Sequence, residues 1–262
     1  MIRRAVACLL LVVGTVPAWA EGPSLPMVFE PGGSAVVESV IDGDSLTLAD
    51  GRTVRMVGIQ APKLPKGRPN FAEWPFAREA EAALAELVQG RTVALDFGGT
   101  REDRYGRVLA QLVRDDGLWV EGELIRRGLA RVYTFPDNRA GAAKMLALER
   151  EARGEKRGLW ADPFFAIRTP EEAGRYIGDL QLVEGKIVDG AKTQNAVFLN
   201  FGADWHTAFT LRINSEALRL FRADKVDPLT LIGATVRVRG YIRRDRERAI
   251  MDVTHPEEIE KL

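Results

Sequence analysis

Cysteine is nearly absent from this chain, and histidine scarcely commoner: 262 residues hold one thiol, Cys8, and two imidazoles, His206 and His255. One thiol excludes an intrachain disulfide, and two isolated histidines without Cys or His neighbours argue against a structural zinc site. Surplus charge is missing too, because 37 Lys and Arg balance 37 Asp and Glu. A strong non-specific grip on nucleic acid usually comes with a basic excess, so any polyanion site must be a local patch. No Gly-rich phosphate loop or nucleophile elbow occurs. Apart from the run Ala5 to Val13, no segment approaches the roughly 20 apolar residues of a membrane helix.

That one apolar run follows Arg3-Arg4 and precedes Ala18-Trp19-Ala20. The order basic, apolar, small is that of a secretory signal peptide over residues 1–20, so the working chain is expected to be exported, periplasmic or secreted, with no membrane span. Its removal takes Cys8 and two arginines, leaving 35 basic against 37 acidic residues, a formal charge of −2. Packing alone must then hold the protein together. Residues 21–34 read as an extended N-terminal segment, and the remaining length suits two small domains.

The stretch from Ala35 to Lys63 organises the first half. Val36, Val40 and Ile41, then Leu46 and Leu48, then Val54, Met56 and Ile59 predict three short strands, separated by Asp42-Gly43-Asp44 and the hairpin signal Asp50-Gly51. The meander brings its acidic first turn back toward Arg55 and the corner Gln60-Ala61-Pro62-Lys63. Proline-rich residues 63–75 predict an exposed loop, and Phe76, Ala80, Ala83, Leu84 and Leu87 an amphipathic helix over 76–89. Strands at 92–97 and 108–113, then helices at 118–128 and 139–153, complete a small OB-type barrel, with Trp119 and Trp160 as core residues covering it.

Residues 163–174 predict a linker. Beyond it, over residues 175–262, strands at 181–188, 196–201 and 209–213, a helix at 215–223 capped by Ser215, and strands at 235–242 and 249–253 repeat the element order. The expected fold is mostly β with packed helices, α+β in class: one OB barrel followed by a second OB-like barrel. Phe198, Phe201, Trp205 and Phe209 with Arg237, Arg239, Arg243, Arg244, Arg246 and Arg248 invite a stacking and phosphate-tracking surface. Simple alternation instead puts Phe198 in a strand interior and Arg237 and Arg239 on an ordinary solvent face.

Five motifs, IDGDSLTL, DGRTVRMVGIQAP, DRYGRVLAQL, LIRRGLARVY and KRGLW, follow one another over roughly Ala35 to Asp162 in an order and spacing that resembles the staphylococcal nuclease (thermonuclease) family. The resemblance implies an OB barrel that hydrolyses phosphodiester bonds of DNA or RNA using calcium. It places Asp44 at a calcium carboxylate, Ala61 at a main-chain calcium ligand, and Arg55 and Arg107 at the arginines that clamp the scissile phosphate. Guanidinium forks suit that task because they meet phosphate oxygens bidentately.

Two positions depart from the family pattern. Gln60 stands where the resemblance implies a second calcium carboxylate, and Lys63 where it implies the general base. Calcium prefers several anionic oxygens, so a weak metal site at Asp44, Gln60 and Ala61 is expected. Arg55, Arg107 and Lys63 around Asp44 describe instead a pocket attractive to phosphate without metal. Three readings follow: a nuclease homologue of impaired activity, a non-catalytic nucleic-acid or polyanion binder, and an envelope scaffold that binds a protein partner.

Overall fold

The computed structural model describes residues 22–26 and 28–262, so the signal-peptide reading of residues 1–20 lies outside the described residues. The chain opens with a 13-residue strand, β1 (Glu30–Asp42), which pairs with β2 (Ser45–Leu48) along one edge and β5 (Thr92–Phe97) along the other. With β3 (Thr53–Met56) and β6 (Val108–Arg114) these strands close into a barrel in the order β1-β2-β3-β6-β5. Its interior holds Leu46, Leu48, Val54, Met56, Leu95 and Leu112. Burying each such side chain contributes about 1.5–3 kcal/mol.

Three helices pack on this barrel. In α1 (Ala77–Val88) the apolar stripe expected from the sequence is buried, while Phe76 stands just outside the helix at φ 64°. Trp119, fully buried before α2 (Val120–Arg126), donates its indole N–H to Gln111 Oε1 at 2.7 Å. Gln111 Nε2 in turn donates to the Val57 carbonyl at 2.8 Å, so this polar pair is satisfied in the core. A short ladder of β4 (Gly58–Gln60) with β7 (Arg131–Tyr133) lies off the barrel and sets Gln60 opposite Arg131. Helix α3 (Ala142–Gly154) completes this half.

Short helical turns at Pro163–Phe165 and Ala173–Arg175 lead into the second half. There β8 (Leu180–Lys186) pairs with β12 (Thr235–Asp245), while β9 (Asp189–Lys192) pairs with β10 (Ala196–Asn200). Only Ile187 and Val188 separate β8 from β9, and their amides donate to Ala234 on one side and Asn200 on the other. As one bent strand, β8 and β9 close a second ring through β10, β11 (Thr210–Asn214), β13 (Arg248–Asp252) and β12. In both rings the third and fifth strands run parallel, β3 with β6 and β11 with β13. A last strand, β14 (Ile259–Lys261), adds to β12.

Helix α4 (Ala217–Ala223) follows the third strand, as expected, but its first turn is capped differently. Asn214 Oδ1, not Ser215, accepts from the Ala217 N–H at 2.9 Å. Simple alternation also misplaces two side chains. Phe198 lies outside the apolar core that takes Val197 and Leu199, and Arg239 is buried rather than solvated. For Arg239 the reason is that this part of the outer face of β12 is covered by the first half. Arg239 donates to Glu149 on α3 at 3.1 and 2.7 Å, to Glu260 at 2.6 Å and to the Val132 carbonyl at 3.1 Å.

Candidate functional site

The turn Asp42-Gly43-Asp44 is pressed against the corner and α1 so tightly that a Cβ on Gly43 would lie 2.7 Å from those of Ala61 and Ala80. This places Asp44, fully buried, at the centre of a charged cluster. Lys63 Nζ donates to both of its carboxylate oxygens at 2.7 Å and lies 3.7 Å from Asp42. The Ala61 N–H donates to Asp44 Oδ2 at 2.8 Å, and Arg55 Nη2 stands 3.5 Å from the same atom. Burial alone would raise the carboxyl's pKa; the charges of Arg55 and Lys63 with the Lys63 and Ala61 hydrogen bonds outweigh it and hold it at about 2. Asp42 moves the other way, raised by burial and by the charge of Asp44.

Arg55 is itself fastened from behind. Its guanidinium donates to the carbonyls of Met56, of Ile59 at 2.7 Å and of Asp44 at 3.3 Å. One side of it forms part of a cleft of about 370 Å³, which Arg107, just before the neighbouring strand β6, also lines. Arg104, Asp137 and Phe135 also line this cleft. Arg107, partly exposed, pairs with Asp103 through Nε at 2.8 Å and Nη2 at 2.7 Å. The two arginines named from the sequence therefore face one cavity, with Asp44 and Lys63 behind Arg55.

Gln60 is turned elsewhere. Its Oε1 accepts from Arg131 Nη2 at 2.9 Å, and its Nε2 donates to the Tyr241 hydroxyl of the second barrel at 3.3 Å. Arg131 also donates to the Leu180 carbonyl at 3.2 Å. Residue 60 thus belongs to the seam between the barrels, which sequence spacing did not show. One clue was available for the seam. Glu149 recurs with Ala142, Met145, Leu146 and Ala152 on the buried stripe of α3, and a carboxylate in such a stripe requires a buried cation.

The donor set does not fit a calcium ion. An ammonium occupies both oxygens of Asp44 and the Gln60 amide oxygen accepts from Arg131, so of the three expected ligands only the Ala61 carbonyl is left. Calcium takes 6–8 oxygens, several of them carboxylate. A tethered cation already neutralises this corner.

Comparison with known proteins agrees with the architecture. The model of the family described as "Staphylococcal nuclease homologue" matches residues 53–162. Protein ParB of Escherichia coli is 36% identical over 180 residues, covering 62% of this chain and 85% of that protein. An uncharacterized endonuclease of Escherichia coli is 33% identical over 129 residues, 48% of this chain and 76% of the relative. Endonuclease YncB of Bacillus subtilis is 33% identical over 133 residues, 49% of this chain and 62% of that enzyme. A closed barrel of the OB type, two arginines lining one cleft and relatives matched over most of their length lead to one assignment: the chain belongs to the family of staphylococcal nuclease homologues.

Proposed function

We propose that this protein binds nucleic-acid phosphodiesters in the cleft between Arg55 and Arg107 and hydrolyses them poorly. The observation that carries this reading is the Lys63 ammonium at 2.7 Å from both oxygens of Asp44. An ammonium engaged in that way has no lone pair with which to accept a proton, and loss of a general base costs roughly 10²–10⁴ in rate. The neutralised carboxylate no longer recruits a metal, so Lewis-acid assistance is lost with the base.

Phosphate binding survives these losses. Arg55 is pre-set by three carbonyls, and Arg107, itself partly exposed, has only to exchange its half-buried partner Asp103 for a phosphate, which replaces one charged pair by another. A nucleoside bisphosphate should therefore bind equally well in calcium and in chelator. Arg107→Ala should weaken it at least about 10-fold, since a charge-assisted hydrogen bond is removed. Calorimetric titration that found binding only with calcium, or none lost with Arg107→Ala, would overturn the reading.

Export is part of the same proposal and is supported by Arg3-Arg4, the apolar run and Ala18-Trp19-Ala20. Mass spectrometry of the mature protein should find Glu21 as its first residue; an intact Met1 would contradict this.

A further inference from the structure

The cleft does not end at the first barrel. Phe135, which lines it, is 42% exposed and meets the Tyr133 ring edge-on at 4.8 Å. Tyr133 in turn meets Tyr241 of β12 at 6.0 Å, and Tyr241 is 48% exposed. From the cleft, the exposed aromatic surface therefore crosses the seam and steps onto the second barrel.

Tyr241 stands at the head of a cross-strand row on the outer face of that barrel. Ile242 pairs with Met251, which sets Tyr241 opposite Asp252; Asp252 pairs with Arg212, and Arg212 with Phe198. At about 4.8 Å per strand the row runs roughly 14 Å. Asp252 is shared by two arginines, Arg212 at 2.5 Å and Arg243 at 2.6 Å, so this trio keeps one positive charge. Beyond it, the Arg248 guanidinium lies 5.8 Å from the Phe198 ring and 5.7 Å from Trp205, which is 49% exposed. Arg244 near the end of β12 and Arg246 in the turn that follows it are exposed, without an ion-pair partner among the described residues.

We propose that the outer face of the second barrel, Tyr241, Arg212, Arg243 and Phe198, is a binding surface for single-stranded nucleic acid that continues the Arg55–Arg107 cleft. The proposal rests on the cleft reading and extends it to the substrate class. Rings that stand clear of the core offer stacking faces to unpaired bases, and guanidinium groups between them meet the backbone. A duplex would keep its bases out of reach of such rings. A protein-binding surface has less use for an arginine pair only half neutralised by its carboxylate.

Fluorescence anisotropy with labelled oligothymidylates in chelator tests this, using a dinucleotide and a strand of about 12 nucleotides, within the range an OB barrel covers. The long strand should bind at least about 10-fold more tightly than the dinucleotide. Tyr241→Ser should weaken the long strand about 5-fold or more and leave the dinucleotide unchanged, whereas Tyr241→Phe, which keeps the stacking ring but not the hydroxyl on Gln60, should match the wild type. Arg212→Gln with Arg243→Gln should also lower the salt dependence of long-strand binding by about one to two charges. Equal weakening of both lengths, equal loss with Tyr241→Phe and Tyr241→Ser, or no effect of either set would overturn the proposal. Failure of both lengths to bind the wild type would overturn it too and turn the face toward a protein partner. Should the long strand bind through Tyr241 while the dinucleotide does not bind, this face stands and the cleft reading falls.

Discussion

In the first barrel the turn between its first two strands is Asp42-Gly43-Asp44, and the residue opposite the start of β2 is Arg55; in the second barrel the turn is Thr193-Gln194-Asn195 and the corresponding residue is Asn214. The rings share a strand order and a parallel third-to-fifth contact. At one corner four charged groups converge. At the other, Thr193 Oγ1 accepts from the Ala196 N–H at 3.1 Å and Asn214 Oδ1 caps α4 at 2.9 Å. Neutral hydrogen bonds are enough to close such a barrel, so the buried charges of the first are not a requirement of the fold. They cost desolvation and are held in place by mutual pairing.

Removing the central acid should therefore hurt the first barrel far more than removing the amide hurts the second. Asp44→Ala leaves Arg55 and Lys63 facing each other without their carboxylate and should cost about 3–5 kcal/mol, the scale of a broken buried pair. Asn214→Ala deletes one cap and should cost about 1 kcal/mol. Denaturant unfolding of the full chain checks both; equal losses would mean that the two corners do the same structural work.

The seam sharpens the comparison through pH. His255 is buried with Nε2 2.7 Å from the Thr134 hydroxyl, and burial with the charges of Arg139 and Arg239 pushes its pKa down to about 4. The unfolded chain then binds the extra proton below about 6.5, so this contribution is present above that pH and is lost as pH falls toward 4, on the order of 3 kcal/mol. Glu258 beside it is pushed up to about 7 by burial and has the opposite sign, favouring the fold less as pH rises from 4.5 toward 7. The stability of the wild type minus that of His255→Gln isolates the imidazole. That difference should grow between pH 4 and 6.5 and then level off; a difference independent of pH would contradict the assignment.

Much of this architecture was legible before any coordinates. Alternating Leu46, Leu48, Val54 and Met56, the α1 stripe and the repeated strand-strand-strand-helix-strand-strand order are short-range patterns, and they give both rings. Arg55 and Arg107 were legible as a pair only through the family's linked motifs, since 52 residues separate them. Of the seam, only Glu149 on the apolar stripe of α3 was a legible sign, and its partners were not. Arg239 alternates like a solvated strand residue, and nothing local reveals that α3 covers it. Gln60 reads as a metal position until the second barrel supplies Tyr241 across 181 residues of chain.

Cleavage of single-stranded DNA with calcium and with chelator, by the wild type and by Lys63→Glu combined with Gln60→Asp, bears most directly on the central claim that Lys63 closes the corner to metal. The double substitution turns an ammonium among carboxylates into a set of four, Asp42, Asp44, Asp at 60 and Glu at 63, although the new Asp must leave Arg131 to join them. It should gain roughly 10²–10⁴ in calcium-dependent rate and lose that gain in chelator, while the wild type stays slow in both. Rapid calcium-dependent turnover by the wild type, unchanged by the double substitution, would contradict the account.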